Sequence, residues 1–360
     1  MSAPLKIAAV GVGRIGIYHA LHVQELANRE GTCELTAIVD GHEDLAGRVA
    51  AQLQPGQETE IRTFTSVDEL AEAGAAGAAV IASRTADHFR EARTLIDAGQ
   101  RVLLEKPLTH SLETSREFVA WLDGDERRRQ ALMLAFMRRF DAPLLRAREL
   151  LAEGRIGKVF KIVSILEDPH GPPKGYSSPG LLIDMGVHNA DEVIWLTGKV
   201  PRSVTGMGAR LHNQKVSSVA EDFDDVFIQM WLEEDVIAQV QVGRNHVAGY
   251  RNETCVYGDE GVIQVGHFQE NPLEVQFEAF GRGSVIERQV FRMRDYGREV
   301  PVFIERFGPA YSAEIAHFVE QCRNGGPFSV DQRDGLRAQT VVDAGKRSLL
   351  GAGDAVAIGL

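Results

Sequence analysis

The glycine-rich stretch GVGRIG, residues 11–16, constrains the fold of this chain more than any other feature of the sequence. A short apolar run precedes it, a helical pattern follows it, and Asp40 ends the next apolar run. In a strand–turn–helix unit of this kind, Gly11 permits the tight turn, Gly13 lets the backbone approach a pyrophosphate and Gly16 allows close packing of the helix. The stretch therefore predicts a dinucleotide-binding site at the N-terminus of the first helix.

The predicted cofactor is NAD. The Asp40 carboxylate would accept hydrogen bonds from the ribose hydroxyls and would repel a 2′-phosphate, although the nearby Arg48 is a residue that could accommodate NADP. A glycine turn without a ligand and a different adenosine ligand are the alternatives. The predicted cofactor contacts beyond the three glycines and Asp40 are Arg14, Ile15, Ser83, Arg84, His88, Glu105 and Lys106.

The order of apolar and helical patterns predicts an α/β protein with two domains. Up to about residue 135, short apolar runs alternate with helical patterns, which is typical of βαβ units and a buried parallel sheet. After about residue 156 the strand-like segments follow one another without helices, which favours an antiparallel sheet. We therefore expect a Rossmann domain over residues 1–135. Residues 136–360 are predicted to form an α/β domain with a large open, mainly antiparallel sheet for substrate binding and oligomerisation.

Composition excludes several classes of function. The net charge of -12 is spread without a long basic run, which argues against binding of nucleic acid or of an acidic membrane surface. No apolar stretch approaches the ~20 residues that span a bilayer, and the first residues lack the pattern of a signal peptide. The 3 cysteines are far apart, which fits a reducing compartment, and His19 and His22 have no third ligand nearby. We expect a cytoplasmic protein without a metal.

Two further stretches carry candidate chemistry. In LLIDMGVHNADEVIWLTG, Asp184 and His188 stand four residues apart and would share one face of a helix. A buried carboxylate and imidazole are costly unless they serve each other or a ligand, so a structural Asp–His hydrogen bond is the alternative to a catalytic pair. The triplet Glu105-Lys106-Pro107 ends a strand and places an ammonium group where open α/β sheets bind ligands. A solvated surface lysine is the alternative there.

The combination of GVGRIG, EKP and DMGVH resembles the Gfo/Idh/MocA oxidoreductases over essentially the whole chain. The resemblance implies that Lys106, Asp184 and His188 form the catalytic set and that the substrate is a sugar or polyol. Hydride transfer from a secondary alcohol requires loss of its proton, and an imidazole with a pKa near neutral suits the general base, which would be His188. Lys106 would stabilise the developing alkoxide, and Asp184 would hold the neighbouring hydroxyl.

Two segments resemble the inositol 2-dehydrogenases within this family. The stretch MRRFD, residues 137–141, is similar to their RRFD segment, which implies that Arg139 approaches the polyol; a helix-entry turn capped by Asp141 is the alternative. The triplet that contains Asp168 resembles their RDP segment, whose Asp contacts ring hydroxyls. Here Glu167 replaces the Arg, so an anion stands where the family pattern has a cation.

The resemblance implies two further substrate contacts and an activity. Tyr250 matches a position near the polyol, with simple packing as the alternative, and His317 is either a core or interface residue or reaches a neighbouring subunit's pocket. The implied reaction is NAD-dependent oxidation of scyllo-inositol or myo-inositol to an inosose, and the resemblance extends to scyllo-inositol dehydrogenases that oxidise L-glucose to its lactone. Another sugar dehydrogenase or reductase of the family, or a nucleotide-binding sensor, is the alternative. The resemblance also implies a homo-oligomer, a tetramer or dimer, formed through the open sheets.

Overall fold

The computed structural model describes residues 3–55, 59–171, 180–210, 222–268 and 271–359. The chain divides into two compact units. Unit 1 comprises residues 1–136 and 311–336, and unit 2 comprises residues 137–310 and 337–360. The first division lies close to the predicted domain boundary, whereas residues 311–336, which the sequence pattern assigns to the second domain, group with unit 1.

Unit 1 contains a parallel six-stranded sheet in the order β3-β2-β1-β4-β5-β6. Its core strands are almost fully buried, as expected for a parallel sheet covered on both faces. The strand order reverses between β1 and β4, and ligands of such sheets bind outside the carboxyl ends of the strands at this point. The strands are β1 (Leu5–Val10), β2 (Cys33–Val39), β3 (Arg62–Phe64), β4 (Ala78–Ile81), β5 (Arg101–Glu105) and β6 (Leu132–Ala135).

The helices of unit 1 differ in how their N-termini are capped. The Ser66 side chain caps the helix that begins at Val67 by accepting a hydrogen bond from the amide of Glu69 at 3.3 Å. Ser111 caps the helix that begins at Leu112 in the same way. The first helix begins after Ile15 and has no side-chain cap. No side chain therefore blocks the N-terminus of this helix, which can face an anion. The helices are α1 (Gly16–Glu30), α2 (Glu43–Leu53), α3 (Val67–Ala73), α4 (His88–Asp97), α5 (Leu112–Asp123) and α6 (Glu126–Arg129).

Hydrogen bonds explain why residues 311–336 belong to unit 1. The Leu134 amide donates to the carbonyl of Val330 at 3.3 Å, and Arg101 donates to the carbonyl of Gly326 at 2.7 Å. These bonds attach the segment to β5 and β6. It comprises the end of α9 (Val302–Asn324) and the start of α10 (Gln332–Leu350). The sequence pattern places the start of the first of these helices at residue 310, after Gly308-Pro309.

Helix α9 continues through Pro309 instead of starting after it. A proline inside a helix removes one hydrogen bond and costs about 3 kcal/mol. Ile304 and Phe307 in the preceding turn are fully buried, and burial of large apolar side chains contributes about 1.5–3 kcal/mol each. The packing of this turn therefore offsets the cost of the proline.

Unit 2 is built on a nine-stranded sheet in the order β14-β13-β12-β11-β7-β10-β9-β8-β15. All neighbouring pairs in the described residues are antiparallel except β7 and β10, which are parallel. The prediction of a Rossmann domain followed by a mainly antiparallel sheet is thus confirmed. The strands are β7 (Val159–Glu167), β8 (Pro201–Ala209), β9 (Asp225–Leu232), β10 (Ile237–Gly243), β11 (Arg251–Gly258), β12 (Gly261–Val265), β13 (Glu274–Gly281), β14 (Ser284–Arg292) and β15 (Val356–Ala357).

The two faces of this sheet have different surroundings. Helix α8 (Val187–Thr197) covers one face, where Asn189 donates to the Ser164 hydroxyl of β7 at 2.7 Å. A π-helical turn (Leu182–Gly186) leads into α8, and α7 (Ala142–Ala152) follows a 3-10 turn (Met137–Phe140). On β9 alternate residues are buried, which leaves Phe227 and Trp231 exposed on the opposite face. Within the described ranges, no helix combines the length and apolar character that a membrane crossing requires.

Candidate active site

The three glycines of the first loop have different surroundings. Gly11 has a φ of +74°, and a Cβ there would lie 2.5 Å from the Cα of Ser83. A Cβ on Gly16 would lie 1.7 Å from the Gly11 carbonyl oxygen, whereas a Cβ on Gly13 would meet nothing within 4 Å. Gly11 and Gly16 are therefore required by the fold itself. The open space at Gly13, beside an uncapped helix N-terminus, fits the approach of a pyrophosphate.

Asp40 ties this loop to the end of β2. Its Oδ2 accepts a hydrogen bond from the Val12 amide at 3.0 Å, and its Oδ1 accepts one from the His42 amide at 2.9 Å. Each carboxylate oxygen has a second lone pair, so the group can still accept hydrogen bonds from ribose hydroxyls. The predicted contacts Arg14 and Ile15 lie in the same loop, with Arg14 exposed. These residues fit the binding of NAD at the carboxyl edge of the sheet.

His88 holds together the two loops that follow β4 and β5. Its Nδ1 lies 3.0 Å from the Pro107 carbonyl oxygen and its Nε2 lies 3.3 Å from the Ser83 carbonyl oxygen. Burial lowers the pKa of His88, so the ring is neutral and donates to one of these carbonyls. The ring, predicted as a cofactor contact, is 1% exposed, and its observed contacts give it the role of positioning the loops. Of the other two predicted contacts here, Ser83 hydrogen-bonds Glu91 and Arg84 pairs with Asp87.

Glu105 fixes the backbone of Lys106. Its Oε1 lies 2.8 Å from Nε2 of His19, and its Oε2 accepts the Lys106 amide hydrogen at 3.0 Å. Burial raises the pKa of the Glu105 carboxyl, but the hydrogen bond and charge of His19 outweigh it, so the pKa lies below its ordinary value. The buried carboxylate is thus ionised and anchors the residue that carries the candidate ammonium group. Lys106 itself is half-buried after the end of β5.

A second buried carboxyl, Glu314 on α9, lies in the field of Glu105. It is fully buried, and neither of its oxygens has a hydrogen-bond partner among the groups that the structure describes. Burial and the charge of Glu105 raise the pKa of Glu314 well above its ordinary value. Two carboxyls in a dry environment cannot both ionise without large cost. Glu105 is the ionised member because it has His19 as a partner, and Glu314 is the neutral member.

Asp184 and His188 lie in unit 2, whereas Lys106 lies in unit 1. Asp184 is in the π-helical turn and His188 is in the first turn of α8, so the predicted single regular helix is interrupted. A π-helical turn adds one residue to the helical repeat and is frequent at functional sites. His188 is 7% exposed, and Asp184 is paired with Arg244 at 3.5 Å.

The two adjacent arginines of the RRFD stretch bind different acids of α8. Arg139, the predicted polyol contact, pairs with Asp191 through two hydrogen bonds of 2.9 and 2.5 Å. Arg138 donates through Nη1 to Glu192 at 2.7 Å and is 2% exposed. Asp141 occupies the N-cap position of α7 but does not cap it. Its carboxylate instead binds the guanidinium of Arg306 at 2.9 and 2.8 Å, because a bidentate charged pair is stronger than a cap.

Arg138 has capacity to bind a ligand. Its Nε and Nη2 have no hydrogen-bond partner in the described part of the chain although the side chain is buried. Such a buried donor requires an explanation, and an absent ligand is one. Burial and the charge of Asp168 raise the pKa of Tyr250, and the charge of Arg138 opposes this rise, so both charges act on the same phenol. The structure thus brings two predicted contacts, Asp168 and Tyr250, close to an arginine that the sequence analysis did not select.

The anion Glu167, which departs from the family pattern, has its own partners. It accepts a hydrogen bond from Gln241 at 2.6 Å and from Arg251 at 3.3 Å, and Nε2 of His246 lies 3.5 Å away. The His246 amide donates to the carbonyl of Asp168 at 2.9 Å. The charge of Glu167 is therefore balanced within the protein and does not need a cationic substrate.

His317 lies in unit 1 and contacts the loop between α9 and α10. The Ser329 amide donates to its Nε2 at 3.3 Å, and burial lowers the pKa of the imidazole. Its role toward a substrate stays a prediction. Among the described residues, no group of three His, Cys, Asp or Glu side chains is arranged to hold a metal ion, and His19 is engaged by Glu105.

The sheet order, the glycine loop and the acid at the end of β2 define an oxidoreductase with an NAD-binding Rossmann domain. The family model of the oxidoreductase NAD-binding Rossmann fold matches residues 5–131, and the model of the GFO/IDH/MocA C-terminal domain matches residues 144–264. The chain belongs to the Gfo/Idh/MocA oxidoreductase family.

Similar proteins cover almost the whole chain. The myo-inositol dehydrogenase Hyg17 of Streptomyces leeuwenhoekii is 30% identical over 342 residues, which is 92% of this chain and 94% of that protein. The scyllo-inositol 2-dehydrogenase (NAD(+)) of Bacillus subtilis is 27% identical over 90% of this chain and 88% of its own length. The crystal structure of a putative myo-inositol dehydrogenase from Sinorhizobium meliloti superposes with a TM-score of 0.81 at 25% identity, covering 99% of this chain and 100% of that one.

Gly13→Ala tests the cofactor loop. Because a Cβ at Gly13 fits the fold but occupies the predicted approach of the pyrophosphate, we expect NADH affinity to fall at least about tenfold with an unchanged melting temperature. Fluorescence titration with NADH and thermal melting measure the two effects. Gly47→Ala in α2, where a Cβ also meets nothing within 4 Å, should bind NADH like the wild type. Wild-type affinity in Gly13→Ala would place the pyrophosphate elsewhere.

Glu314→Gln tests the neutral buried carboxyl. The folded protein keeps a proton on Glu314 that the unfolded chain releases above its ordinary pKa of 4.5, so wild-type stability should fall as pH rises from there toward the raised pKa. The glutamine of the variant cannot titrate, so the stability of the variant does not fall in this way. The free energy of unfolding of the variant relative to wild type should therefore increase by up to about 1.4 kcal/mol per pH unit. Denaturant unfolding between pH 5 and 8 measures the difference. The exposed Glu320→Gln on the same helix is the control, and a difference independent of pH would contradict an acid that is neutral when folded.

Proposed function

We propose that this protein oxidises a secondary alcohol of a cyclic polyol, scyllo-inositol or myo-inositol, to an inosose with NAD as the hydride acceptor. The observation that carries the proposal is the buried Arg138, whose Nε and Nη2 have no hydrogen-bond partner among the described groups and whose charge, like that of Asp168, acts on Tyr250. A ring with a hydroxyl on every carbon both donates and accepts hydrogen bonds, so it can satisfy such a donor and a neighbouring carboxylate together. The names of the two similar dehydrogenases support a polyol of this kind.

The proposed chemistry uses Lys106, Asp184 and His188. NAD supplies a hydride acceptor when it is bound. His188 takes the hydroxyl proton as general base, and a buried imidazole suits this role. Lys106, whose backbone Glu105 fixes, donates a hydrogen bond to the same oxygen and stabilises its developing negative charge. Asp184 accepts a hydrogen bond from the neighbouring hydroxyl and sets the orientation of the ring.

Arg138 is the proposed cation for ring hydroxyls, in place of Arg139. Arg139 binds Asp191 through Nε and Nη2, so this edge of its guanidinium is committed to a fixed bidentate pair. Arg138 uses only Nη1 for Glu192 and has further donors. Asp168 and Tyr250 supply an acceptor and a hydroxyl nearby. These three residues form the proposed polyol contacts of unit 2, and His317 is the proposed additional contact from unit 1.

L-glucose is a proposed second substrate. Scyllo-inositol has every hydroxyl equatorial, and β-glucopyranose of either hand shares this outline. Because scyllo-inositol is achiral, a pocket shaped for it does not by itself reject the L-sugar. Oxidation at the anomeric carbon of L-glucose would give a lactone by the same loss of a proton and a hydride.

The open face of the sheet in unit 2 supports association into a homo-oligomer, a dimer or tetramer. Four large apolar side chains on the neighbouring strands β8, β9 and β10 are exposed on this face, between 43% and 73%. Several large apolar side chains exposed on one face of a sheet are typical of an interface. They are Met207, Phe227, Trp231 and Ile237.

A substrate panel tests the proposed reaction. We expect NADH formation with scyllo-inositol and myo-inositol, slower formation with L-glucose, and little with D-glucose or with NADP as acceptor. Lys106→Ala should lower kcat at least about a hundredfold because it removes the donor to the developing alkoxide. Lys158→Ala, an exposed lysine before β7, is the matched control and should keep wild-type rates. Binding of NADH without turnover of any of these compounds would direct the search to other sugars or to a sensor.

Arg138→Lys and Arg139→Lys separate the two arginines. Lysine at 138 can keep the charge pair with Glu192 but loses the remaining donors, so KM for the inositol should rise about tenfold or more while NADH affinity stays unchanged. Lysine at 139 loses the bidentate pair with Asp191, so the melting temperature should fall while KM changes less than about twofold. Steady-state kinetics and thermal melting measure both. A raised KM in Arg139→Lys alone would return the role to Arg139.

A further inference from the structure

Arg244 is buried between two carboxylates directly after β10. It is 5% exposed, its Nη2 lies 3.5 Å from Oδ2 of Asp184, and its Nη1 lies 3.4 Å from Oδ2 of Asp222. Its own amide donates to the carbonyl of Asp224 at 2.9 Å. Hydrogen bonding of the Arg244 amide fixes its backbone, and the two carboxylates fix its guanidinium. Asp184 and Asp222 therefore share one positive charge.

Asp222 also shapes the turn that carries Asp184. Its Oδ1 accepts the amide hydrogens of Leu181 at 2.8 Å and of Phe223 at 3.0 Å. Gly180 has a φ of +112°, and a Cβ there would lie 3.1 Å from this oxygen. Asp222 thus binds the residues at the start of the π-helical turn with one oxygen and Arg244 with the other. Asp184 receives its cation from a group that is itself fixed to the same turn.

The charge around Asp184 depends on how this cation is shared. A cation 3.5 Å away stabilises the ionised form of a carboxylate, and a second anion on the same cation weakens the effect. His188 follows Asp184 one turn later, and the acids of the neighbouring strands add negative charge. The charged and titratable groups of the surrounding elements are Asp222, Asp224, Asp225, Glu167, Arg244 and His188.

We propose that Arg244 is a positioning residue that keeps Asp184 ionised and directed toward the substrate, and that Asp222 sets the strength of this effect by competing for the same guanidinium. The proposal rests on the proposed function, in which Asp184 accepts a hydrogen bond from the polyol. It assigns a role to two residues that touch neither substrate nor cofactor in that mechanism. A purely structural ion pair would lower the melting temperature of both variants without moving the acid limb of the pH profile of kcat/KM.

The test compares pH profiles of kcat/KM for scyllo-inositol. Arg244→Met removes the positive charge beside Asp184, which is one turn from His188, and both groups must be deprotonated in the proposed mechanism, so the acid limb should move to higher pH by about one unit or more. Arg244→Lys should reverse part of this shift. Asp222→Asn keeps an acceptor for the Leu181 amide but frees the cation for Asp184, so the limb should move to lower pH. Arg146→Met, which breaks the ion pair with Glu287 elsewhere in unit 2, should leave the limb in place.

Shifts of the same sign in Arg244→Met and Asp222→Asn, or unmoved limbs with lower melting temperatures, would overturn the proposal. If Arg244→Met does not fold, the Lys and Asn variants still test the two directions. Aspartate labelled with 13C provides a readout without substrate, in which the Asp184 carboxyl resonance is assigned by its loss in Asp184→Asn. Opposite shifts of its titration midpoint in the two variants would support the positioning role even if no polyol is oxidised, and absent shifts would refute it even if polyols are oxidised.

Discussion

The proposed polyol site depends most on the hydrogen bonds to the buried carboxylate of Glu192. It is 1% exposed and accepts hydrogen bonds from Arg138 at 2.7 Å, from Ser164 at 2.8 Å and from Thr254 at 2.5 Å. These donors come from the turn before α7, from β7 and from β11, so one group on α8 joins three other elements. Removing a carboxylate from water costs several kcal/mol, and only a complete set of donors offsets this cost. The same set fixes the guanidinium of Arg138 with two of its nitrogens left for the proposed ligand.

Unit 1 contains two buried acids, Glu105 and Glu314, that are stabilised in different ways. Glu105 is ionised because His19 and the Lys106 amide offer hydrogen bonds to its two oxygens. Glu314 has no such donors among the described groups and is held neutral. The difference concentrates the negative charge at the end of β5, where it anchors the backbone of the lysine. Because Glu314 is neutral, no second negative charge competes with Glu105 for His19.

The sequence predicts those features that depend on neighbouring residues along the chain. The alternation of short apolar runs and helical patterns up to about residue 135 predicts the parallel sheet, and the separate roles of Gly11, Gly13 and Gly16 follow from one local turn. The short strands β3, β12 and β15 have too few residues for a periodic signal. The partners of Arg138 and Arg139 lie more than fifty residues away, and no local pattern distinguishes two adjacent arginines. Arg244 and Asp184 are likewise 60 residues apart, so their pairing is a property of the folded sheet and the turn beside it.

Glu167, which departs from the family pattern, has a cationic partner within the protein. Arg251 stands directly opposite Glu167 in the antiparallel pair of β7 and β11, and opposite charges in such positions attract each other. The family pattern has a cation at position 167, whereas this chain has an anion there and a cation one strand away. Arg251 also pairs with Glu253 at 2.6 Å and lies over the ring of Phe268, which holds it in place. The Glu167 carboxylate thus has its cationic partner on the neighbouring strand of the same sheet, so it is paired within the protein and does not depend on a charged ligand.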